Sequence, residues 1–254
     1  MTAPTKNKRD LFKEPGLYDN ISLPAASHER PYVAINMVMT ADGAISPPDH
    51  SYKHISGPED QRTYRRMRIH FDAIMRGTKT LDIDLDRNLM NDHIVNARTQ
   101  IGLPNPPFVV ILTNTGNVDP NSLIFKHDIY PARPLLFVPE KVVTSSKLQD
   151  VAYVIKMDGP QLISTDVLQW LRENKGVERV LSEGGATLNY SLIAENLVDE
   201  YFLTISPIII GESNPRTPVE GKFPFANDKT RTMSLISSIS SGDEVFLRYK
   251  FECQ

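Results

Sequence analysis

The sequence predicts an α/β fold, in which a mixed, mostly parallel sheet is flanked by helices and closed by a C-terminal antiparallel hairpin. Two observations support this fold class. Short apolar runs take turns with helical patterns through residues 31–197, and such alternation is typical of parallel sheets. The C-terminal part instead has two neighbouring runs with a polarity period of two, which is typical of antiparallel strands.

The spacing of the apolar residues predicts each element in turn. The expected strands are 31–39, 72–76, 108–113, 134–138, 152–157, 177–182 and a long one at 198–210. The expected helices are 58–71, 165–174 and 186–197. A final hairpin is expected around the polar turn 241–243, since apolar residues alternate on both sides of it. Those residues are Met233, Leu235 and Ile239 before the turn and Val245, Leu247, Tyr249 and Phe251 after it.

A single domain is expected over residues 30–254, preceded by a polar extension at 1–29. The extension has mixed charge and three prolines, and its apolar residues are candidates for docking on the domain. These are Leu11, Phe12, Leu17 and Tyr18. Residues 211–231 are expected to form a long polar loop before the hairpin, which is either functional, as loops of that length in compact domains often are, or simply mobile.

Composition and charge exclude several classes of function. The 254 residues carry 28 Lys+Arg against 31 Asp+Glu, a formal net charge of −3, whereas a dedicated nucleic-acid binder usually has a large basic excess. No apolar run approaches the roughly 20 residues that a membrane span needs. The single cysteine, Cys253, excludes a disulfide within the chain and a cysteine-cluster zinc site. Because the N-terminus has no apolar signal region, we expect a cytoplasmic protein without membrane or nucleic-acid partners.

The sequence has no motif of metal-dependent hydrolysis or of covalent catalysis. Its 6 histidines do not form the HExxH spacing or a similar one, and no GxSxG pattern is present. We therefore expect no metal site and no strong nucleophile.

One arginine of the predicted helix 58–71 stands on an apolar stripe. Arg68 shares this stripe with Tyr64, and a guanidinium there needs an anion or a wet cleft. It either pairs with a buried carboxylate or snorkels, or it binds a substrate phosphate. The other arginines of the helix are predicted to form a solvated face: Arg62, Arg65 and Arg66. Ser56 is the expected N-cap.

Two strand-to-helix junctions are rich in glycine and hydroxyl groups. Glu183-Gly184-Gly185 precedes the helix 186–197, and Gly77-Thr78-Lys79-Thr80 follows the strand 72–76. Glycine lets a ligand approach the backbone, and the N–H groups of a helix start favour phosphate, although a tight turn is the better explanation of each junction taken alone. Ligands of open parallel sheets collect at the carboxyl ends of the strands, so two such junctions together predict a ligand site.

Four further polar residues lie in or directly after the predicted strands 31–39 and 108–113. Thr113 and Asn114 end the strand 108–113. Asn36 lies inside the first strand, where it is either a satisfied core amide or an amide facing a ligand. Asp42 stands before a glycine, where capping a turn is the usual role of an aspartate.

Taken in order, the motifs resemble those of the reductases of riboflavin biosynthesis, in their stand-alone fungal and archaeal form. The segments that carry the resemblance are RPYVAINMVMTADGAIS, HISGPEDQRTYRRMR, DAIMRGTKTLDIDLD, VVILTN and LSEGGATLNYSLIAENLVDEYFLTISPIIIGE, within residues 30–251. The resemblance implies a dihydrofolate-reductase-like fold, NADPH as cofactor and a homodimer. It also implies the substrate, 2,5-diamino-6-ribosylamino-4(3H)-pyrimidinone 5′-phosphate.

The resemblance further implies roles for individual residues. Those implied to contact the cofactor are Gly77, Thr80, Asp84, Thr113, Asn114, His54 and the turn residues Gly184, Gly185, Ala186, Thr187 and Leu188. Those implied to bind the substrate are Arg68, Glu183, Asn36 and Asp42, with Arg68 on the 5′-phosphate. Lys79 and Arg76 are candidates for the 2′-phosphate of the cofactor.

The implied reaction is hydride transfer to C1′ of the ribose after the ribosylamine has opened to an imine, which needs orientation rather than a nucleophile. No proton donor stands out. Dihydrofolate reduction on the same fold is one alternative, although Arg68 favours a phosphorylated substrate. A catalytically silent nucleotide-binding protein is another, since the family's Asp-Asp-Pro reads Asp84-Leu85-Asp86 here. The zinc-deaminase motifs of the bifunctional bacterial proteins are absent from this chain.

Overall fold

A mixed sheet is the centre of the computed structural model, which describes residues 16–47, 55–81, 92–103, 105–126, 132–222, 225 and 230–252, without the side chains of 92 and 93. Within these ranges nine strands form one sheet in the order β5-β4-β3-β2-β6-β1-β7-β9-β8. They are β1 Tyr32–Thr40, β2 Ala73–Gly77, β3 Phe108–Leu112, β4 Leu135–Pro139, β5 Tyr153–Met157, β6 Arg179–Ser182, β7 Glu200–Ser206, β8 Met233–Ser241 and β9 Glu244–Phe251. The strands from β5 across to β7 pair in parallel, whereas β9 runs antiparallel to β7 and β8. The predicted fold class is confirmed.

The strands lie where the apolar runs predict them, with small differences at their ends. The exception is β7, which ends at Ser206 rather than at 210. Pro207 follows, and proline has no N–H to donate to a strand ladder. The C-terminal hairpin turns at Gly242, whose φ of +59° favours glycine.

Five helices flank the sheet in the described part of the chain. They are α1 Pro58–Met67, α2 Asp92–Gln100, α3 Ser146–Val151, α4 Ser164–Lys175 and α5 Ala186–Ala194. The end of the predicted helix 58–71 is instead a 3₁₀ turn, Arg68–His70. Neither α2 nor α3 is among the predicted helices, and α3 has 6 residues, too few for a helical period to show. None of the helices described is both long and apolar enough to cross a membrane.

The main core lies between one face of the sheet and helices α4 and α5. Val33, Ile35 and Val180 of the sheet meet Leu168 of α4 and Leu192 of α5, all with 0% of their surface exposed. Alternate residues of β1 point to this face because side chains of a strand alternate with period two. Each such burial contributes about 1.5–3 kcal/mol before the entropy of ordering is subtracted.

The other face of the sheet is covered in part by the N-terminal segment. Tyr18 is buried there, and its ring meets that of Phe202 edge-on with centroids 5.1 Å apart. Asp19 accepts a hydrogen bond from Arg66 Nε at 2.6 Å. The prediction of a solvated face is therefore wrong for Arg66, and also for Arg62, which is buried beside Glu59. Asp19 pairs with Arg66 and Glu59 pairs with Arg62. These carboxylates make the burial possible, since a buried guanidinium needs an anionic partner.

Candidate active site

A cleft of about 390 Å³ opens where β1, β2, β3 and β6 approach their carboxyl ends. This is the edge at which ligands of parallel sheets collect, as the glycine-rich junctions predict. The strands and the turns after them contribute Asn36, Arg76, Gly77, Thr80, Thr113, Asn114 and Glu183. Helix α1 contributes Asp60, Gln61, Tyr64 and Arg65, and the start of α5 contributes Gly185, Ala186, Thr187 and Leu188.

Beneath the cleft lies a buried cluster of charged side chains around Glu183. Arg68 donates from Nε to Oε1 of Glu183 at 2.6 Å and from Nη2 to Oε2 at 2.9 Å. Arg76 donates from Nε and Nη2 to Oε2 at 2.8 and 2.5 Å. The hydroxyl of Tyr64 donates to the same oxygen at 2.8 Å. The cluster ties together the turn after α1, the strand β2 and the end of β6.

This cluster keeps Glu183 ionised. Burial alone would raise the pKa of the carboxyl, but Arg68 and Arg76 outweigh it and hold the pKa at about 2, below the ordinary 4.5. Burial would likewise lower the pKa of Arg76, yet Tyr64 and Glu183 raise it above its ordinary range. Glu183 is therefore a carboxylate, and both arginines are cations, at neutral pH.

The structure does not bring Arg68 into the cleft. Its side chain is 2% exposed and lies behind Glu183, and Arg68 is absent from the described residues that line the cleft. Of the alternatives that the apolar stripe leaves open, pairing with a buried carboxylate is the one observed. Glu183 itself lines the cleft with its backbone region, since its side chain is 0% exposed.

The glycine-rich turn before α5 forms one wall of the cleft. Gly185 is the N-cap of α5 and has no side chain to cap the first N–H groups, which a helix leaves without intrahelical partners. Gly184, the residue before it, has a φ of +81°, a conformation that favours glycine. The N–H of Gly77 donates to the carbonyl of Gly184 at 2.8 Å, so the two predicted glycine junctions touch.

Hydroxyl and amide groups end the strands β2 and β3 beside this wall. Thr80 donates to the carbonyl of Gly77 at 2.8 Å, so it closes its turn and lines the cleft at the same time. Thr113 accepts from the N–H of Gly116 at 3.2 Å. Asn114 Oδ1 accepts from the N–H of Leu162 at 2.7 Å. Of the residues implied to contact the cofactor, those that the structure describes thus lie together in or directly beside the cleft.

Asn36 and Asp42, both implied to bind substrate, differ in position. Asn36 is 7% exposed and lines the cleft, so its amide can meet a ligand. Asp42 is not among the described lining residues. The hydroxyl of Thr40 and the N–H groups of Gly211 and Ile210 donate to its carboxylate and lower its pKa. Asp42 therefore caps a turn and anchors the start of the long loop.

Several lining residues are absent from the sequence prediction. Gln61 and Arg65 precede Arg68 by about two and one helical turns, so the period that singles out Arg68 could also have placed them on the cleft side. The sequence predicts Arg65 on a solvated face, which is wrong because Arg65 lines the cleft. Arg216 reaches the cleft from the loop 211–231, where no periodic pattern exists to locate it.

The predicted N-cap of α1 is also wrong. Gly57 is the N-cap, and the carboxylate of Glu244 accepts from the N–H groups of Gly57 and Asp60, each at 3.0 Å. Ser56 instead donates to the Asp60 carboxylate at 2.5 Å. Glu244 starts β9, so a carboxylate distant in sequence supplies the cap that a local pattern assigns to Ser56.

Two residues implied to lie near the cofactor, His54 and Asp84, fall outside the described residues. The same holds for Leu85 and Asp86, and for Leu11 and Phe12 of the extension. Their predicted roles stay predictions.

The comparison with known families agrees with this geometry. Residues 31–246 match the model of the RibD C-terminal domain. The chain belongs to the RibD C-terminal domain family. A relative from Methanothermobacter thermautotrophicus named 2,5-diamino-6-ribosylamino-4(3H)-pyrimidinone 5′-phosphate reductase is 30% identical over 226 residues, which cover 87% of this chain and 98% of the relative. A protein of the same name from Archaeoglobus fulgidus is 32% identical over 196 residues, or 76% and 88% of the two chains.

Solved structures share the fold of this RibD-type chain. A pyrimidine reductase-like protein from Corynebacterium diphtheriae superposes with a TM-score of 0.74 at 21% identity, covering 88% of this chain and 93% of that one. RibD from Acinetobacter baumannii gives a TM-score of 0.68 at 22% identity. The match covers 89% of this chain but 59% of the Acinetobacter protein, so this chain corresponds to one part of that longer protein. The family resemblance indicated by the motifs is confirmed.

Proposed function

We propose that this chain is a reductase of 2,5-diamino-6-ribosylamino-4(3H)-pyrimidinone 5′-phosphate. It would reduce the ribosylamino side chain to the ribitylamino form with a nicotinamide cofactor, an early step of riboflavin biosynthesis. The relatives from Methanothermobacter thermautotrophicus and Archaeoglobus fulgidus have this name, and the matches with this chain cover most of their length. The observation that carries the proposal is the cleft itself, in which an uncapped helix start faces a group of cationic and amide side chains.

The two glycine turns fit the pyrophosphate of a dinucleotide. A Cβ on Gly77 would lie 3.3 Å from the backbone nitrogen of Gly185, so only glycine allows this close approach without a shift. The first N–H groups of α5 lack intrahelical partners, and such a helix start favours phosphate. We infer that this turn, with Thr80 and Asn114, holds the cofactor.

NADPH is the proposed form of the cofactor. Recognition of its 2′-phosphate needs a cation that is not already committed to a buried carboxylate. Lys79 is exposed and lines the cleft next to Thr80, whereas Arg76 is held by Glu183 and Tyr64. Of the two candidates named from the sequence, Lys79 therefore suits the 2′-phosphate.

The 5′-phosphate of the substrate is assigned to cations that line the cleft rather than to Arg68. Arg216 is suitable because its contact with Glu220 is long, 3.4 Å from Nε to Oε2, and its side chain is 28% exposed. A bidentate phosphate contact is stronger than such a pair. Arg65 lines the cleft as well. In this arrangement Arg68 acts indirectly, by holding Glu183 in place.

A bound reduced nicotinamide would supply the hydride, and the residues of the chain would supply orientation. Asn36 can hydrogen-bond the pyrimidine or the ribose from β1. Ile45, Ile55 and Leu112 line the same cleft and exclude water from part of it. Holding the two reactants in register is the main requirement of a hydride transfer.

We further propose that the chain forms a homodimer through β8. This strand lies at the edge of the sheet, and Met233, Leu235 and Ile236 on it are 36%, 55% and 45% exposed. An unpaired edge strand with apolar side chains is a template for pairing with another chain. We also propose a cytoplasmic location, which fractionation of the source cells would test.

The test of the activity is an absorbance assay of the purified protein with NADPH. Oxidation of NADPH is expected with the phosphorylated ribosylaminopyrimidine and not with dihydrofolate. Turnover with dihydrofolate would instead support a dihydrofolate reductase. Calorimetric binding of NADPH without turnover on either compound would support a catalytically silent nucleotide-binding protein.

A further inference from the structure

Tyr64 is the residue through which the buried cluster meets the cleft. The side chains of Glu183, Arg68 and Arg76 are 0%, 2% and 4% exposed, whereas Tyr64 is partly exposed and lines the cleft. Of these four side chains, the phenol of Tyr64 is therefore the one best placed to touch a bound substrate.

Two cations surround the phenol oxygen. Arg68 Nη2 donates to Tyr64 Oη at 2.8 Å, and Arg76 Nη2 donates to the same oxygen. The guanidinium carbon of Arg68 also lies 4.6 Å from the centroid of the Tyr64 ring. Hydrogen bonds from cations favour the charged form of an acidic group. The carboxylate of Glu183, 2.8 Å from the phenol oxygen, opposes this effect, but two cations face that one anion. The cluster as a whole therefore stabilises the oxygen of Tyr64 after its proton has left.

The proton of Tyr64 is available to a substrate. In the structure it is donated to Oε2 of Glu183 at 2.8 Å. That oxygen also accepts from Arg68 and Arg76, so it remains satisfied without the phenol. Rotation about the C–O bond of Tyr64 would turn its proton towards the cleft while the oxygen still accepts from both guanidinium groups.

We propose that Tyr64 is the general acid of the reaction and protonates the ring oxygen of the ribose, an assignment that rests on the proposed function. The C1′–O4′ bond breaks, and its electron pair goes to O4′, which takes the proton of Tyr64. The lone pair of the exocyclic nitrogen forms a C1′=N iminium bond at the same time. C1′ then accepts the hydride, the nitrogen becomes a neutral secondary amine, and solvent returns a proton to Tyr64. One hydride and one proton are consumed.

The other ionisable groups around Tyr64 suit this role less well. Asp60 lies in the first turn of α1, where the helix end favours a carboxylate, and a carboxylate has no proton to give. Arg65 is a guanidinium, which does not release its proton at neutral pH. Lys79 lies on the glycine side of the cleft, where the cofactor phosphate is placed. Glu183, Arg68 and Arg76 contribute charge but are already ionised in the cluster.

The experiment compares wild type with Tyr64→Phe, which removes the hydroxyl and keeps the ring beside Arg68. Tyr153→Phe is the matched control, because Tyr153 is 54% exposed on the edge strand β5. We expect kcat of Tyr64→Phe to fall by about 100-fold or more while KM changes little. Wild-type kcat should also fall at high pH as the phenol ionises, and Tyr64→Phe should lack this limb.

A second readout needs neither cofactor nor turnover. Ultraviolet difference spectra of the protein alone follow tyrosine ionisation. The difference between wild type and Tyr64→Phe gives the ionisation of Tyr64, which should coincide with the alkaline limb of kcat/KM. Unchanged kcat in an active enzyme, an effect on KM alone, or an ionisation of Tyr64 that does not coincide with the alkaline limb would each overturn the general-acid role. An inactive wild type would overturn the proposed function and this assignment with it, so the two failures are distinguishable.

Discussion

Arg68 and Glu183 form a buried, two-pronged ion pair, from Nε to Oε1 at 2.6 Å and from Nη2 to Oε2 at 2.9 Å. Arg68 follows α1 and Glu183 follows β6, so the pair joins two of the elements that bound the cleft. Arg76 completes the cluster from β2. A carboxylate buried at this depth is retained only because two guanidiniums offset the cost of removing it from water.

Glu183→Gln is expected to destabilise the protein by about 3–5 kcal/mol at pH 7, because the substitution leaves two buried cations facing a neutral amide. Urea denaturation measures the change. Glu178→Gln is the control, since Glu178 is 58% exposed and lies 3.7 Å from its partner Arg172. An exposed pair of this kind contributes at most about 1 kcal/mol. Equal losses in the two variants would contradict the role assigned to the cluster.

The effect of Glu183 should also depend on pH. Its folded pKa of about 2 lies below the ordinary 4.5, so the charged carboxylate favours the folded state above about pH 4.5. This contribution is lost as the pH falls from 4.5 towards 2. The difference in unfolding free energy between wild type and Glu183→Gln should thus be constant from pH 7 to 5 and shrink below that. A difference that grows on acidification would show that the pKa is not lowered.

Arg68 also shows how much of the site a sequence pattern can predict. The helical period places it on an apolar stripe, where a guanidinium needs an anion or a wet cleft, and the anion is what the structure shows. Its partner, Glu183, lies 115 residues later in the sequence, so a local pattern does not identify it. The strands and three helices have a local period and are predicted, whereas the capping of α1 by Glu244 and the approach of Arg216 depend on tertiary packing.

Gly77→Ala is expected to weaken NADPH binding by about tenfold, or roughly 1.4 kcal/mol. The new Cβ would lie 3.3 Å from the backbone nitrogen of Gly185 and 3.7 Å from the carbonyl oxygen of Gly184, so it would push the two turns apart. Calorimetry on the protein without substrate measures the affinity. Gly176→Ala is the control, because Gly176 caps α4 with a φ of +63° and has open space around it. That variant should lose about 1 kcal/mol of stability and bind NADPH normally.

Leu235→Lys is expected to dissociate the proposed homodimer. Leu235 is 55% exposed on the edge strand β8, and a lysine on an edge strand opposes pairing with a second copy. Analytical ultracentrifugation over a range of protein concentrations gives the dissociation constant, which should rise by at least about tenfold. Val143→Lys is the control, since Val143 is 89% exposed and lies outside β8. A monomeric wild type, or a variant that stays dimeric, would refute an interface at β8.

Tyr18→Ala is expected to cost about 3–5 kcal/mol of stability, as for other large aromatic side chains removed from a core. Tyr18 is 5% exposed and packs edge-on against Phe202, so its ring joins the N-terminal segment to the sheet. Tyr18→Phe keeps this ring. Its hydroxyl is buried without a hydrogen-bond partner among the described residues, so the phenylalanine variant should be as stable as wild type or slightly more stable. Thermal and urea denaturation of both variants test this, and a large loss in Tyr18→Phe would mean that the hydroxyl, rather than the ring, holds the segment in place.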